Sequence, residues 1–362
     1  MTENEACLLF SLCDRIGPKT FLKLLNAFGS AKSAWEGLDS EAVAEKLITQ
    51  KLYEKFRVFK KEFNLQVYLD KLKKTKVRVI GYTDSYYPES LKQLDAPPIV
   101  LYCKGNVEIL KAERKIGIVG ARKITSYGKD VTEKLTSELV FNGFTIVSGL
   151  AFGVDVVSHK TALEQNGETI AVLGCGVDCC TPAENQNLYE HILDSKGLIL
   201  SEYSLGFPPS AGLFPARNRI IAGLSLGVLI TEAAEDSGSL ITAEEARKLN
   251  RPVFAVPGSI HSHMSKGAIK LLKEGAFLAS TGKDILEQLK YSSRKQTDLA
   301  RIRNYLLTSK EKLIIDKLQE EALTIDILAK KTQISMMKLM VIISSLEMRG
   351  IVENRSGEII LK

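Results

Sequence analysis

No run of apolar residues in this chain approaches the ~20 needed to cross a bilayer as a helix. The opening segment MTENEACLLFSLCDRIG is acidic and has no basic stretch ahead of a long apolar one, so it does not read as a secretion signal. Cysteine is scarce. Cys7, Cys13, Cys103, Cys175, Cys179 and Cys180 are too few in 362 residues for a disulfide scaffold, so reduced thiols and a cytoplasmic location are expected. Internal repeats and low-complexity runs are absent. Signatures of enzyme chemistry are thin as well. Cys175, Cys179 and Cys180 lie close together, but no second ligand pair stands at zinc spacing, and His261 and His263 are isolated. Neither the dinucleotide G-x-G-x-x-G fingerprint nor a Walker A loop is present, and no Ser/His/Asp triad can be argued. No metal, cofactor or catalytic residue is expected.

What is present is ordinary in bulk and uneven in detail. Hydrophobic residues make up 45% and charged residues 25%, which excludes a largely disordered or fibrous chain. At ~150 residues per domain the length suggests two to three domains. The net charge is +6. Residues 51–76 carry 9 basic and 3 acidic side chains, and residues 286–362 carry 14 and 10. The long middle region, 115–285, carries 16 and 18, so its net charge is −2.

Periodicity divides the chain. Residues 1–76 read as a helical domain. Short helices occupy 5–50, with a helix-hairpin-helix-like turn at Arg15-Ile-Gly-Pro-Lys19, and a single highly charged helix occupies 51–75. Residues 77–114 hold two strand candidates, VRVIGY and PPIVLYC, and from Lys115 strand-length apolar runs alternate with helical stretches, so 77–285 is expected to be an α/β domain with a doubly wound, mostly parallel sheet. Residues 286–304 are polar and basic and read as a linker. Residues 305–362 show three helical patterns, at 310–320, 323–331 and 335–349, followed by a small hairpin; this predicts a winged helix. The third helix is mostly apolar, so a protein contact suits it at least as well as major-groove reading.

Four loops of the middle region carry chemistry. In each a strand runs into a glycine-containing turn and then a helix, where unpaired amides and the helix dipole favour an anion. The first holds Gly120 and Arg122, the second Ser148 and Gly149 with Asp155 and His159 beyond. The third is Phe214-Pro-Ala-Arg217-Asn218-Arg219, in which arginine offers phosphate forks and phenylalanine a stacking face. The fourth holds Ser237 and Ser239, with Lys266 and Gly267 downstream. Each loop alone can equally be a helix cap with a solvated side chain. All follow strands, which puts them on one sheet edge, and several anion-ready loops on one edge suit an extended phosphodiester.

The runs GARKITSYG, IVSGLAFGVDVVSHKTAL, TIAVLGCGVD, LILSEY, FPARNRIIAGLS, SGSLITAEEA and VFAVPG, in this order, resemble the DNA-processing protein A (DprA/Smf) family. The resemblance implies an extended Rossmann-like core flanked by a helical (helix-hairpin-helix or SAM-like) domain and a winged helix. It also implies a cytoplasmic homodimer that binds single-stranded DNA, protects incoming DNA in natural transformation and helps load the RecA recombinase. Carried over by motif, Arg122, Ser148, Gly149, Phe214, Arg217, Asn218 and Arg219 would line the DNA site, with Lys266 and Gly267 at its rim. Two positions depart from the family pattern: Ala268 stands where asparagine is frequent, and Thr181 where tyrosine is common.

Two other functions compete. Rossmann-like nucleotide phosphoribohydrolases share the general fold, and Glu232, Glu244 or Glu245 would be the acids; their Pro-Gly-Gly-x-Gly-Thr loop is replaced here by Ser237-Gly-Ser239. A regulator of duplex DNA acting through the tail is the other.

Overall fold

Runs of Ile, Val, Leu and Ala bounded by glycine build the centre of the molecule. A computed structural model describes residues 1–39, 46–195, 197–292, 308–348, 351–355 and 357–361. The strands of the main sheet are β1 (Val77–Gly81), β2 (Val100–Gly105), β3 (Lys115–Val119), β4 (Thr145–Ser148), β5 (Thr169–Val172), β6 (Leu198–Ser201), β7 (Val228–Ile230), β8 (Val253–Ala255) and β9 (Phe277–Leu278). Every residue of β3 to β8 is buried, as expected of parallel strands covered on both faces. The order across the sheet is β1-β2-β6-β5-β4-β3-β7-β8-β9. The pairings β1–β2 and β2–β6 are antiparallel and all others parallel. From β3 the chain builds outward through β4, β5 and β6, then returns to the other side of β3 for β7. The switch point, where ligands bind in open α/β sheets, therefore lies off the carboxyl ends of β3 and β7.

Among the described residues, the helices ahead of the sheet are α1 (Glu3–Leu12), α2 (Pro18–Phe28), α3 (Ala31–Gly37), α4 (Gln50–Glu62) and α5 (Leu65–Lys74). The single charged helix expected over 51–75 is instead two. Phe63 adopts an extended backbone after α4, and Asn64 caps α5 by accepting a hydrogen bond from Val67 N at 3.2 Å. Phe10, Phe21, Trp35 and Phe56 pack edge-to-face or stacked inside these helices. Their apolar cluster is continuous with Val100, Tyr102, Leu173 and Ile199 of the sheet region. Asn4 of α1 also accepts from Gly81 N of β1 at 2.7 Å. Residues 1–76 are thus built onto the sheet, within one compact unit that spans Met1–Ser293.

Among the described residues a single helical turn at Glu89–Lys92 joins β1 to β2, and longer helices connect or cover the other strands: α6 (Ser126–Phe141), α7 (Val154–Glu164), α8 (Gln186–Asp194), α9 (Leu213–Leu224), α10 (Ser239–Lys248), α11 (Lys266–Lys273) and α12 (Gly282–Gln288). The first residues of the segment expected as a linker, 286–304, are folded into the first unit. Leu286 of α12 is in the core, and Tyr291 packs edge-on against Phe144 at 5.7 Å. The rest of that linker, from 293, lies outside the described residues.

The second unit, Arg294–Lys362, has α13 (Ser309–Glu320), α14 (Ile325–Thr332) and α15 (Met336–Met348). Its strands β10 (Leu323–Thr324), β11 (Val352–Arg355) and β12 (Glu358–Leu361) form a small sheet in the order β10-β12-β11. Ile314, Leu318, Leu328, Leu339, Ile343 and Ile359 make its core. This is the three-helix-plus-hairpin pattern of a winged helix. On α15, Met337 is 80% and Val341 69% exposed, so the outward face of the helix in the recognition position is apolar. Among the described residues no helix is long and apolar enough to cross a membrane.

Candidate nucleic-acid interface

The first loop leaves β3 through Gly120, where a Cβ would come within 2.6 Å of Val154 Cγ2 and 2.7 Å of the Glu232 carbonyl. Only glycine lets the backbone through this gap. Ala121 N donates to Glu232 O at 2.7 Å, and Ala121 O accepts from Val154 N at 3.2 Å. Arg122 is left pointing into solvent. The helix terminus that follows does not await an anion. The Glu232 carboxylate accepts from Thr125 N at 2.9 Å and from Thr125 Oγ1 at 2.6 Å. A side chain of the protein itself thus occupies the position expected for the first phosphate, and Glu232 is a helix cap rather than a free acid.

The second loop is closed in the same way. Ser148 is fully buried and donates to Ile118 O at 2.7 Å. Gly149 N and Ala151 N both donate to Asp155 Oδ2, at 3.0 and 3.2 Å. The expected cradle of Ser148 and Gly149 is therefore corrected: its donors already face an internal carboxylate.

Arg217, expected at the surface, is only 4% exposed. It rises from α9, and its guanidinium lies flat on Gly149, where a Cβ would be 2.0 Å from Nη2. It donates to Gly149 O at 2.7 Å, to Val172 O, and through Nε to Asn218 Oδ1 at 2.9 Å. Asn218 in turn donates to Gly238 O at 3.3 Å. Burial pushes the Asp155 carboxyl above its ordinary range, against the opposing pull of Arg217 and the loop amides. Burial likewise lowers Arg217, with Asp155 opposing. Arg219 is also an internal partner, paired with Glu202 at 2.6 Å.

His159, a turn beyond Asp155, does not pair with it. Thr169 Oγ1 spends its proton on Ile146 O at 3.0 Å, so His159 Nδ1 donates to Thr169 Oγ1, 2.6 Å away. Its Nε2 is buried with no hydrogen-bond partner among the described residues. Burial, helped by the Arg217 charge, pulls its pKa from 6.5 to about 3. The unfolded chain therefore binds a proton here below pH 6.5 while the folded chain does not. Stability contributed by neutral His159 is lost as pH falls, by at most ~1.4 kcal/mol per pH unit. The raised carboxyl of Asp155 works in the opposite direction, so the term is read as a difference. His159→Asn should flatten the loss of stability between neutral and mildly acidic pH in urea unfolding. An unchanged acid slope refutes this.

What remains open is a cavity of about 390 Å³ at the switch point. Gly120, Ala121 and Arg122 line one side; Phe214, Arg217 and Asn218 another; Ser237, Gly238, Ser239 and Thr242 a third, with Asp155 and Met264 completing it. The Arg122 guanidinium stands 5.8 Å from the centroid of the Phe214 ring. The α10 amino terminus, unlike those of α6 and α7, holds no carboxylate; Gly238 is its N-cap, and its first amides turn inward, Ser239 N donating to Ser237 Oγ at 3.4 Å, Leu240 N to Ser237 O at 3.0 Å and Ile241 N to Gly238 O at 3.3 Å. The Ser237 and Ser239 hydroxyls are 2.8 Å apart beside it. One turn in, the Thr242 hydroxyl is buried without a hydrogen-bond partner among the described residues. Thr242, Asp155 and Met264 were missed as lining residues. Thr242 had a signal: it follows Ser239 by three positions, one helical turn.

Lys266 and Gly267 do not line this cavity. Lys266 is exposed at the start of α11. Gly267 N donates to Ala233 O at 2.8 Å, which ties α11 to the β7 loop. Among the described residues no three His, Cys, Asp or Glu side chains gather to hold a metal.

The family model for DNA recombination-mediator protein A matches residues 78–290, and that for the DprA winged helix domain matches 305–358. Protein Smf of Synechocystis sp. is 38% identical over 291 residues, covering 80% of this chain and 73% of its own. The DNA processing protein DprA of Bacillus subtilis is 43% identical over 213 residues, covering 59% and 71%. The crystal structure of DprA from Streptococcus pneumoniae superposes with a TM-score of 0.70 at 34% identity, covering 81% of this chain and 99% of that one. The structure of DprA from Helicobacter pylori, described for its single-stranded DNA binding mode, gives 0.53 at 34% identity, covering 60% and 98%. By fold, by motif order and by both matched domains, this chain belongs to the DNA recombination-mediator protein A family, whose members are named DprA and Smf.

Proposed function

We propose that this protein binds single-stranded DNA at the switch-point cavity, without catalysing a reaction on it, and that it protects incoming DNA in the cytoplasm and passes it to the RecA recombinase. The Arg122 guanidinium beside the half-buried Phe214 ring carries the proposal, because a free cation next to an aromatic face serves one phosphate and one base together. The hydroxyls of Ser237, Ser239 and Thr242, at an α10 start that carries no carboxylate, add polar groups for a second phosphate. That a homologous structure was determined for its single-stranded DNA binding mode favours the same reading. The glutamates of the hydrolase alternative are less apt. Glu232 caps α6, and Glu245 pairs with Lys248. The apolar outward face of α15 likewise disfavours duplex reading by the tail.

The test is fluorescence anisotropy with single-stranded and duplex oligonucleotides over a salt series, for the full chain and for a truncation lacking 305–362. Tighter binding to the single strand, weakening steeply with salt and surviving the truncation, is expected. Equal affinity for duplex, or binding lost with the tail, refutes it. For homodimerisation, the support is edge strand β9, whose Phe277 and Leu278 are 40% and 52% exposed. Sedimentation should give a dimer that Leu278→Asp converts to monomer. RecA transfer is read as filament formation on strand coated with single-strand-binding protein, accelerated by this protein.

A further inference from the structure

Beyond the cavity, the loop from β6 to α9 carries an aromatic pair, half-buried Tyr203 and exposed Phe207, with no assigned role. Tyr203 and Phe207 stack at 5.1 Å with their planes 24° apart, and Phe207 is 40% exposed. The turn that holds them is built, not loose. Phe207 N donates to Ser204 O at 3.1 Å, Phe207 O accepts from Gly176 N at 3.0 Å, and Gly206 takes a positive φ of 77°. Gly206 N donates to Asp178 Oδ1 at 2.9 Å, so that carboxylate is turned onto the backbone of the turn. Leu205 N donates to Tyr68 OH of α5 at 3.2 Å.

Two contacts join this turn to the cavity. A Cβ on Gly174 would lie 3.2 Å from the Phe214 ring, and one on Gly176 would lie 2.6 Å from Ser204 O. Gly174 and Gly176 are two residues apart, so their Cα atoms are separated by at most ~7 Å. Phe214 and the Tyr203–Phe207 turn therefore rest on one short ridge. On the far side of the turn, Lys71 Nζ comes within 3.9 Å of a Cβ placed at Gly206. Lys74 follows one helical turn later, and both lysines are exposed in the most basic segment of the chain. Cation, ring, ring pair and cation succeed one another from Arg122 to Lys71.

We infer that a single strand leaving the cavity continues over the Phe207 ring to the lysines of α5, so that the N-terminal helices extend the DNA footprint. This rests on the single-strand proposal above. Bases stack on the exposed ring while the phosphates follow the cations, which is how strands are held without sequence preference. The positive charge of residues 51–76 complements such a strand.

Anisotropy with oligothymidylates of about 6 and about 20 nucleotides tests this. In wild type the longer oligomer should bind more tightly. Phe207→Ala with Lys71→Ala should reduce binding of the longer oligomer roughly tenfold and shift the short one little. The salt slope on the longer oligomer should fall by about 0.7 for the lost phosphate contact. Photo-crosslinking of wild type by an oligomer carrying a photoreactive thymidine should mark the peptides containing Phe207 or Lys71. Crosslinks confined to the Arg122 and Phe214 peptides, or variant and wild type equal on the longer oligomer, overturn the inference alone. If wild type binds neither oligomer, the single-strand proposal fails and this inference with it.

Discussion

Alanine at position 217 should destabilise the protein by about 3–5 kcal/mol, before any effect on a ligand is considered. Sequence pattern alone makes Arg217 a surface contact whose loss spares the fold. The structure reverses that expectation. The guanidinium is buried on Gly149 and ties the carboxyl ends of β4 and β5 to α9 through Gly149 O and Val172 O. Its removal leaves two carbonyls unpaired and the buried Asp155 without the cation that favours its charge. Arg217→Lys should not restore stability, because an ammonium cannot reproduce the planar fork. Urea unfolding at neutral pH measures both variants. A loss below ~1 kcal/mol for the alanine variant would sink the claim. Any fall in DNA affinity of Arg217→Ala is then to be read only after the folded fraction is known.

Arg122→Ala should behave in the opposite way. Its side chain is exposed and makes no ion pair or side-chain hydrogen bond among the described residues, so the unfolding midpoint should be unchanged. Single-strand affinity should fall about 10- to 100-fold, the range of a charge-assisted hydrogen bond to phosphate. The salt slope should drop by about 0.7, one single-strand phosphate contact. Arg122→Lys should recover the slope but only part of the affinity, because the charge returns and the plane beside Phe214 does not. Anisotropy across a salt series gives both quantities. Wild-type affinity in a folded Arg122→Ala variant refutes the cavity as the DNA site.

The alternation of buried strand runs with helices makes the sheet and its switch point legible in the sequence itself. The winged helix is legible from three short helices and a hairpin. Two breaks are not. Phe63 and Asn64 interrupt a charged stretch that reads as one helix, because an asparagine can cap as readily as it can sit on a solvated face. Leu286 and Tyr291 lie in a polar segment, and their burial follows from partners far away in sequence. At the site, the glycine turns locate the cavity but not which helix ends are open. Asp155 and Glu232 close two of them with carboxylates four or more residues distant, one across 107 positions to Thr125. Loop spacing says that amides are available; it cannot say that the chain supplies its own anion.

The close seat of Arg217 on Gly149 also bears on how this family can vary. A methyl group at 149 would stand 2.0 to 2.2 Å from three guanidinium atoms, so alanine there is incompatible with arginine at 217. Shortening 217 alone removes the nearby cation that favours the charge of buried Asp155 and leaves Gly149 O and Val172 O without their donor. The two positions are therefore epistatic: each single change is disfavoured, and a viable departure requires 149, 155 and 217 to change together. In a selection from randomised codons, Gly149→Ala should be recovered only with a smaller, uncharged residue at 217 and a neutral one at 155. The triplet moves through sequence space as one unit, although Arg217 of α9 stands 68 residues from Gly149.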